Sequence, residues 1–325
     1  MNETATPGSP LPAGALPASR WKYWLVHSPL ARILLFVAIL GALIFLLRIL
    51  FITVGWAGAA APVPERYIAM LVMQLVPALG AYLFLVYAIE RRRAAELAWR
   101  KVVPHGVLGF LGGGLLISAV VGVLWLAGSY EVTGFNADPS WGRQLLIGGL
   151  GAAVAEEIIT RGVLFRVAEE GLGTWGALML SAAVFGFGHI FNPGATVWSS
   201  VAIAIEAGLL FGLLFHVSRS LPLCMGAHMG WNFTQGTVWG IPVSGGKDTG
   251  WLVSVRSGPD WLSGGAFGAE ASVVAVALCS LVSLGLLAAA LRSGTIVPPW
   301  FARPRTPAKL PAAADNEIAK AAPSC

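Results

Sequence analysis

The chain has 325 residues, of which 56% are hydrophobic and only 11% are charged, and its mean hydropathy is +0.74. Soluble domains average roughly 45–50% apolar and 25% charged residues, so this composition excludes a soluble globular protein and indicates a polytopic membrane protein. The net charge of +5 does not indicate nucleic-acid binding, because the basic residues lie in short segments between apolar runs. Three scattered cysteines form no CxxC pair and indicate neither a metal site nor a disulfide.

The apolar runs predict the fold class. Each is about 20 residues long, the length that a helix needs to cross roughly 30 Å of hydrocarbon. Eight runs are recognised, at residues 32–54, 67–89, 106–128, 143–166, 175–191, 197–217, 221–241 and 270–293. The sequence therefore predicts an all-α polytopic membrane helical bundle of about eight transmembrane helices. Residues 30–293 are expected to form this membrane domain, between flexible tails at 1–29 and 294–325.

Basic residues predict the orientation of the bundle in the membrane. With eight spans, the Lys- and Arg-rich segments all fall on one side, and the positive-inside rule makes that side cytoplasmic. These segments contain Arg20, Lys22, Arg32, the run ERRRAAELAWRK (90–101), Arg219, Arg303, Arg305 and Lys309. Both termini are therefore expected in the cytosol, and the expected location is the cytoplasmic membrane of a bacterium.

Three acidic residues lie deep in apolar spans, where ionisable groups indicate function if partners can be named. Glu156 and Glu157 belong to span four and Glu206 to span six. Glu157 and Arg161 are four residues apart, on one helical face and in the favourable order, so they are expected to pair. Glu156 is rotated about 100° from Glu157 and can face elsewhere. The hypothesis is that Glu157 and Arg161 keep Glu156 charged and directed at water.

Two further segments place polar groups inside the membrane. FGFGH (185–189) ends span five at His189, and HMGWN (228–232) puts His228 and Asn232 on one helical face. A buried carboxylate and an imidazole together can take a proton from water, and a second imidazole with an amide can stabilise an oxyanion. This set suits peptide-bond hydrolysis without a serine or cysteine nucleophile.

Helix rise provides a depth check on these side chains. At 1.5 Å per residue, Glu156 lies about 20 Å from the outer end of span four and His228 about 10 Å from the inner end of span seven, which is the same layer. His189 lies about 21 Å from the inner end of span five and joins them only if that span is broken or tilted, which Gly186 and Gly188 permit.

Three motifs in this order resemble the CPBP family of membrane proteins, which includes the type-two CAAX prenyl proteases and the Abi and bacteriocin-processing relatives. EEIITR (156–161) is similar to EExxxR, FGFGH to FxxxH and HMGWN to HxxxN, and the resemblance covers roughly residues 140–240. It implies an intramembrane endopeptidase of eight helices. By resemblance, Glu156 is the general base aided by His189, His228 and Asn232 form the oxyanion hole, and Glu157 and Arg161 support the site.

The sequence leaves the metal question open. Glu156, His189 and His228 could supply three ligands to zinc with water in the fourth position. There is no HExxH motif, and Asn232 is a poor zinc ligand but a reasonable oxyanion donor. The metal-free mechanism without a cofactor is therefore the preferred interpretation, with zinc as the alternative. Glu206 either orients one of the histidines, as carboxylates behind a site do, or pairs with a neighbouring helix.

Two rival functions remain. One is a non-catalytic immunity or scaffold protein in the membrane, and the other is a proton-coupled transporter, since buried Glu and His also form proton relays. A complete motif set disfavours the first, and the lack of a visible inverted repeat disfavours the second. The expected partners are the lipid bilayer and a membrane-associated peptide or protein substrate, which can be a prenylated tail, a peptide precursor or a membrane-protein segment; nucleic acid is not expected.

Overall fold

The computed structural model describes residues 26–247 and 249–303, so most of both predicted tails, 1–25 and 304–325, lies outside the described residues. Within the described part, eight long helices form one bundle. They are α1 (Pro29–Thr53), α2 (Val63–Ile89), α3 (Trp99–Leu126), α4 (141–172), α5 (174–191), α6 (Val197–Ser218), α7 (221–238) and α8 (Val273–Arg292).

Six helical runs of the described chain are long and apolar enough to cross a membrane by length and composition. One of them, Trp141–Phe191, has 51 residues, or about 75 Å at 1.5 Å per residue, which is more than twice the hydrocarbon thickness. Gly173 divides it into α4 and α5, because its φ of 72° and ψ of 177° are not helical. The predicted all-α polytopic bundle is confirmed, and the fourth and fifth spans meet at Gly173.

Side-chain caps begin four of the helices. Each capping hydroxyl accepts a hydrogen bond from the backbone N–H three residues further on, and each such cap stabilises its helix by about 1 kcal/mol. The capping residues are Ser28 before α1, Thr196 before α6, Ser220 before α7 and Ser272 before α8. These polar residues define where the apolar runs begin.

Glycines allow α3 and α7 to touch backbone to backbone. A Cβ on Gly113 would lie 1.9 Å from the carbonyl oxygen of Ala227, and a Cβ on Gly230 would lie 2.0 Å from that of Phe110. Gly109 and Gly226 meet the opposite helix in the same way. Small residues at four-residue spacing are a common means of close helix packing in membranes. This contact fixes the position of α7, which carries His228 and Asn232.

Two loops that the sequence analysis left without structure form a β-ribbon. Strand β1 (Tyr130–Phe135) follows α3, and β2 (Leu252–Arg256) lies in the long connection between α7 and α8. They pair antiparallel with an irregularity between Val132 and Gly134. We call the end of the bundle that carries this ribbon the ribbon side.

The opposite end, which we call the arginine side, is held by a buried ion-pair cluster around Glu90. Arg32 of α1 and Arg166 of α4 each donate to its Oε1 at 2.9 Å, and Arg92 donates to its Oε2 at 2.7 Å. The side chain of Glu90 is 5% exposed. One carboxylate therefore joins α1, the α2–α3 connection and α4.

The described part of the predicted C-terminal tail packs against the bend between α4 and α5. Thr174 donates its backbone N–H to the carbonyl of Val297, and its hydroxyl accepts from the N–H of Val297, both at 2.9 Å. A Cβ on Gly173 would lie 2.6 Å from that same carbonyl oxygen. A glycine is therefore required here for its backbone conformation and for the space.

Candidate functional site

The two adjacent glutamates lie where α4 departs from ideal helix geometry. Wider, π-type turns cover Gln144–Gly151 and Ile158–Phe165, and the α-helical residues Ala152–Glu157 lie between them. Such turns are rare and often occur at functional sites, because they re-aim side chains and free backbone carbonyls. Glu157 is fully buried, whereas the side chain of Glu156 is 36% exposed. The two carboxylates thus face different surroundings, as the helical rotation predicts.

Glu157 and Arg161 form the predicted ion pair. Arg161 Nη1 donates to Glu157 Oε1 at 2.9 Å, and both side chains are fully buried. The same guanidinium donates to the hydroxyl of Thr160 and to the carbonyls of Ala207 and Gly208 in a π-type turn of α6. A buried charge is tolerated only when it is paired and hydrogen-bonded, and these contacts supply both conditions.

Aromatic rings enclose the Arg161 guanidinium. Its carbon lies 4.6 Å from the ring centre of Phe185 and 5.5 Å from that of Phe211. The face of an aromatic ring attracts a cation, and the attraction is stronger where water is excluded. Phe185, the first residue of the FxxxH motif, therefore stabilises the arginine of the EExxxR motif, a role that the sequence analysis did not identify.

His228 is positioned by Glu157. Its Nδ1 lies 3.0 Å from Glu157 Oε1, so it donates to that carboxylate and directs Nε2 toward the open side of the site. Phe211 stacks on the imidazole with 5.5 Å between ring centres and an angle of 18°. The Glu157–Arg161 pair thus acts on His228. Its predicted influence on Glu156 stays a prediction, because the contacts of Glu157 are with Arg161 and His228.

His189 reaches the site from the end of α5. The α-helical part of α5 ends at Gly188, and His189 begins the 3₁₀ turn that completes α5. Its Nδ1 lies 2.7 Å from the carbonyl oxygen of Phe185, which can only accept, so Nδ1 carries a proton and Nε2 of the neutral ring presents a lone pair. A Cβ on Gly186 would lie 2.3 Å from the carbonyl of Ser200, so this glycine allows α5 to approach α6 closely. Glu156 precedes the bend at Gly173 by 17 residues and His189 follows it by 16, so the antiparallel helices α4 and α5 bring both side chains to one layer.

Glu156 lies between the two imidazoles. Its Oε2 is 3.9 Å from His189 Nε2 and 4.0 Å from His228 Nε2. This oxygen is shielded from solvent and has no hydrogen-bond partner among the described residues. Separations of this size are too long for direct hydrogen bonds and suit a single bridging water molecule. The structure therefore brings together three of the four predicted catalytic side chains around one point.

Asn232 lines the same space one helical turn beyond His228. Its Nδ2 donates one hydrogen to the carbonyl of Gly148, at 2.9 Å. An amide NH₂ has two hydrogens, so the second remains available to a ligand. The contact also ties α7 to the first π-type turn of α4. All four predicted catalytic residues, Glu156, His189, His228 and Asn232, line one cleft.

A small cavity behind this cleft contains two acidic residues, Glu206 and Glu270. Its accessible volume of about 20 Å³ is room for about one water molecule. It is also lined by His189, His228 and Asn232. Glu206 accepts a hydrogen bond from the Cys279 thiol of α8, with 3.7 Å between Oε2 and Sγ. Of its two proposed roles, the contact with a neighbouring helix is therefore the one observed.

Glu270 is a residue of the site that the sequence analysis missed. It is 2% exposed and accepts from the backbone N–H of Ser244 at 2.6 Å, from the Ser244 hydroxyl at 2.8 Å and from Gln235 at 3.1 Å. Ser244 has a φ of 48°, a conformation that costs energy in a residue other than glycine. Residue 270 lies at the predicted start of a span, where an acidic residue is ordinary. Only its contacts in the folded protein identify it as part of the site.

The donor atoms of the site are spaced more widely than the ligands of a bound zinc ion. Ligands about 2.0–2.1 Å from a tetrahedral zinc ion are roughly 3.3 Å from one another. The spacings of Glu156 Oε2 from the two imidazole nitrogens, 3.9 and 4.0 Å, are wider. Within residues 26–247 and 249–303, no three His, Cys, Asp or Glu side chains are spaced to hold a metal ion. The preference for a metal-free reaction over zinc held by Glu156, His189 and His228 stays a prediction.

The apolar bundle thus encloses a cleft lined by carboxylate, imidazole and amide side chains. Residues 138–234 match the family model described as type II CAAX prenyl endopeptidase, Rce1-like. This segment contains all three motifs, so the resemblance read from them is confirmed over α4 to α7. The match indicates an intramembrane protease of the CAAX endopeptidase type. No curated protein matches the chain.

Proposed function

We propose that the protein is an intramembrane endopeptidase that hydrolyses peptide bonds of membrane-associated substrates with a water molecule activated by Glu156 and His189. The observation that carries this proposal is the position of Glu156 Oε2, shielded and without a partner among the described residues, about 4 Å from Nε2 of both imidazoles. A water between these atoms meets an acceptor carboxylate and the lone pair of His189 Nε2. Both pull on its protons and raise its nucleophilicity.

The reaction follows from these positions. The water oxygen bonds to the carbonyl carbon of the scissile peptide while Glu156, assisted by His189, takes the water proton. The carbonyl oxygen becomes an oxyanion, which the second N–H of Asn232 and the Nε2–H of a protonated His228 stabilise. The C–N bond then breaks, the stored proton goes to the leaving nitrogen, and a carboxylic acid and an amine result, the acid keeping the second proton of the water.

Glu157 and Arg161 support this chemistry. The carboxylate of Glu157 accepts the Nδ1–H of His228, which favours the protonated ring that an oxyanion donor needs. Arg161 in turn holds that carboxylate in place with two backbone carbonyls of α6 behind it. The proposed mechanism contains no step through a metal ion; the wide spacing of the donor atoms and the amide of Asn232 as an oxyanion donor support this choice.

The location of the protein is part of the proposal. We infer that both termini are cytoplasmic and that the membrane is the cytoplasmic membrane of a bacterium, because the Lys- and Arg-rich segments share the arginine side. The name of the matched family mentions prenylated substrates. For this chain the proposed substrate class is the broader one, a peptide held at the membrane by a covalent lipid or by its own apolar segment.

The test is cleavage of a panel of membrane-tethered peptides by the purified protein and by Glu156→Gln. This isosteric change removes the base, so we expect cleavage to fall by about 10²–10⁴-fold, the usual contribution of general acid–base catalysis. Glu131→Gln, an exposed carboxylate on β1, is the matched control and should cleave as wild type does. Equal cleavage by Glu156→Gln and wild type would remove Glu156 from the mechanism.

A zinc chelator added to the same assay separates the two mechanisms. Cleavage that is unaffected by the chelator supports the metal-free reaction. Loss of cleavage with chelator and recovery with added zinc would overturn the metal-free mechanism and would still support a protease function. Wild-type protein that cleaves no peptide of the panel would count against the enzyme and favour the scaffold interpretation.

A further inference from the structure

The catalytic cleft opens toward the ribbon side of the bundle. Its volume is about 200 Å³, and its rim contains Arg143 and Gln144 at the beginning of α4. Asn192, just after α5, and the turn at 243–246 complete the rim. All these segments lie at the end of the bundle that carries β1 and β2. A substrate therefore enters from the ribbon side and meets Glu156 at the bottom of the cleft.

Basic residues are concentrated at the other end of the molecule. Among the described residues, ten lie on the arginine side: Arg32, Arg91, Arg92, Arg93, Arg100, Lys101, Arg166, Arg219, Arg292 and Arg303. Five lie toward the ribbon side: Arg48, Arg66, Arg143, Lys247 and Arg256. Lys and Arg in short loops set membrane orientation, and the richer side stays in the cytoplasm. The ribbon side is then the extracytoplasmic side.

We propose that this protease receives its substrates from the extracytoplasmic side of the membrane, and that these substrates are membrane-anchored peptides whose scissile segment is exported. The part of this inference that concerns substrates rests on the proposed function. Its orientation component stands on the charge distribution and the cleft alone. It separates this chain from a protease that trims lipid-modified tails of cytosolic proteins.

A second depression beside the cleft suits the anchor of such a substrate. It lies between the ribbon-side ends of α2 and α4, has a volume of about 700 Å³, and shares Arg143 and Ile147 with the cleft. Apolar and aromatic side chains form much of its wall, namely Tyr67, Ile68, Leu71, Trp141, Leu146 and Ile147. Most of the residues that line the cleft itself are polar, which suits a peptide backbone. An apolar anchor in the depression would place the adjoining extended peptide in the cleft.

Cysteine labelling in whole cells tests the orientation. Lys247 is exposed beside the rim of the cleft, and Lys247→Cys reports on that side. Arg93→Cys is the matched control on the arginine side. Both variants are made in the full chain with Cys325→Ser, and the remaining cysteines, Cys224 and Cys279, are buried. We expect a membrane-impermeant maleimide to label Lys247→Cys in intact bacteria and to label Arg93→Cys only in inverted vesicles. The reverse pattern would overturn the inference.

Cleavage of two reporters in the same cells tests the substrate class. Both carry one peptide next to a single apolar span, displayed outside the membrane in one reporter and inside in the other. We expect wild type to cleave only the outward reporter, at least tenfold more than Glu156→Gln does. Cleavage of the inward reporter alone would overturn the inference and would still support the proposed protease function. Cleavage of neither reporter would count against the proposed function, and the labelling pattern would still decide the orientation.

Discussion

His228 donates its Nδ1–H to the same oxygen of Glu157 that accepts from Arg161, at 3.0 and 2.9 Å. The two halves of the EExxxR motif thus act at one histidine, and the second glutamate orients an imidazole. The first glutamate is left to face that imidazole from the other side, 4.0 Å from its Nε2. We therefore expect one carboxylate of the motif to position His228 and the other to bind the reacting water.

Glu157→Gln tests this division of roles. The amide oxygen can still accept from His228, but the negative charge that favours a protonated ring is lost. We expect the catalytic rate constant to fall by about 10–100-fold, as for other groups that orient an active-site histidine, with a smaller change in KM. Steady-state cleavage by both proteins measures it. A change in KM alone would contradict an effect on the oxyanion donor.

Gly113→Ala tests the contact that positions α7. A new methyl group would lie 1.9 Å from the carbonyl oxygen of Ala227, so the helices must separate, and we expect a loss of about 1–3 kcal/mol in the free energy of unfolding. Gly112→Ala is the matched control, because its Cβ meets nothing within 4 Å. Unfolding of both variants in detergent, followed by helical signal, gives the comparison. Similar stability of the two variants would argue against close backbone packing here.

Glu270→Ala tests whether this buried carboxylate shapes the site. Ser244 would lose the acceptor of its N–H and its hydroxyl, and the turn that forms the rim of the cleft would relax. We expect kcat/KM to fall at least about tenfold, because small misplacements at an active site are costly. Glu270→Gln keeps an acceptor for Ser244 and should restore most of the activity. Ser263→Ala is the control, because it removes a buried side chain of the same connection whose hydrogen bonds are only to main-chain groups.

The Glu90 cluster predicts a pH dependence of stability. Burial alone would raise the pKa of Glu90, but Arg166 and Arg92 outweigh it and hold the pKa below its ordinary value of 4.5. A carboxylate with a lowered pKa stabilises the folded state fully above its unfolded pKa, and this contribution is lost as pH falls through the folded pKa. We therefore expect the unfolding temperature of the wild type to fall steeply below about pH 4.5.

Glu90→Gln should flatten this dependence. At neutral pH, the amide removes the buried negative charge that three arginines share and places an NH₂ donor among them, which costs about 3–5 kcal/mol. As the pH falls from 4.5 through the lower pKa of Glu90 in the folded wild type, that protein also loses the charge and the two proteins should approach each other. Unfolding temperatures measured between pH 7 and pH 3 check both statements. An equal gap at every pH would show that the charge of Glu90 does not contribute.

Local rules predicted much of the site. Helical periodicity placed Glu157 next to Arg161 and His228 next to Asn232, because both pairs lie within one helix. Apolar runs of spanning length predicted the bundle, since lipid requires helices whose backbone groups are satisfied internally. What could not be predicted are contacts between distant segments. Glu270 reaches the site only through the packing of α8, and β1 pairs with β2 across more than a hundred residues.

The bend at Gly173 shows the same limit on a smaller scale. The sequence places a glycine there among others of its kind, and only the backbone of Val297 shows why no larger residue fits. The depth of His189 shows it as well. Its depth conflicted with that of Glu156 because the assumed ends of spans four and five were wrong; α5 stays helical to Gly188, and both residues lie about equally far from the bend.

The segment after α8 has a practical consequence for work with this protein. Because Val297 is wedged into the bend between α4 and α5, an affinity tag or fluorescent fusion joined directly to residue 293 would remove the wedge from the helix that carries both glutamates. A fusion point beyond residue 303 leaves it in place. Proteins made for purification or imaging should therefore be extended past that residue, even though the last helix of the bundle ends at Arg292.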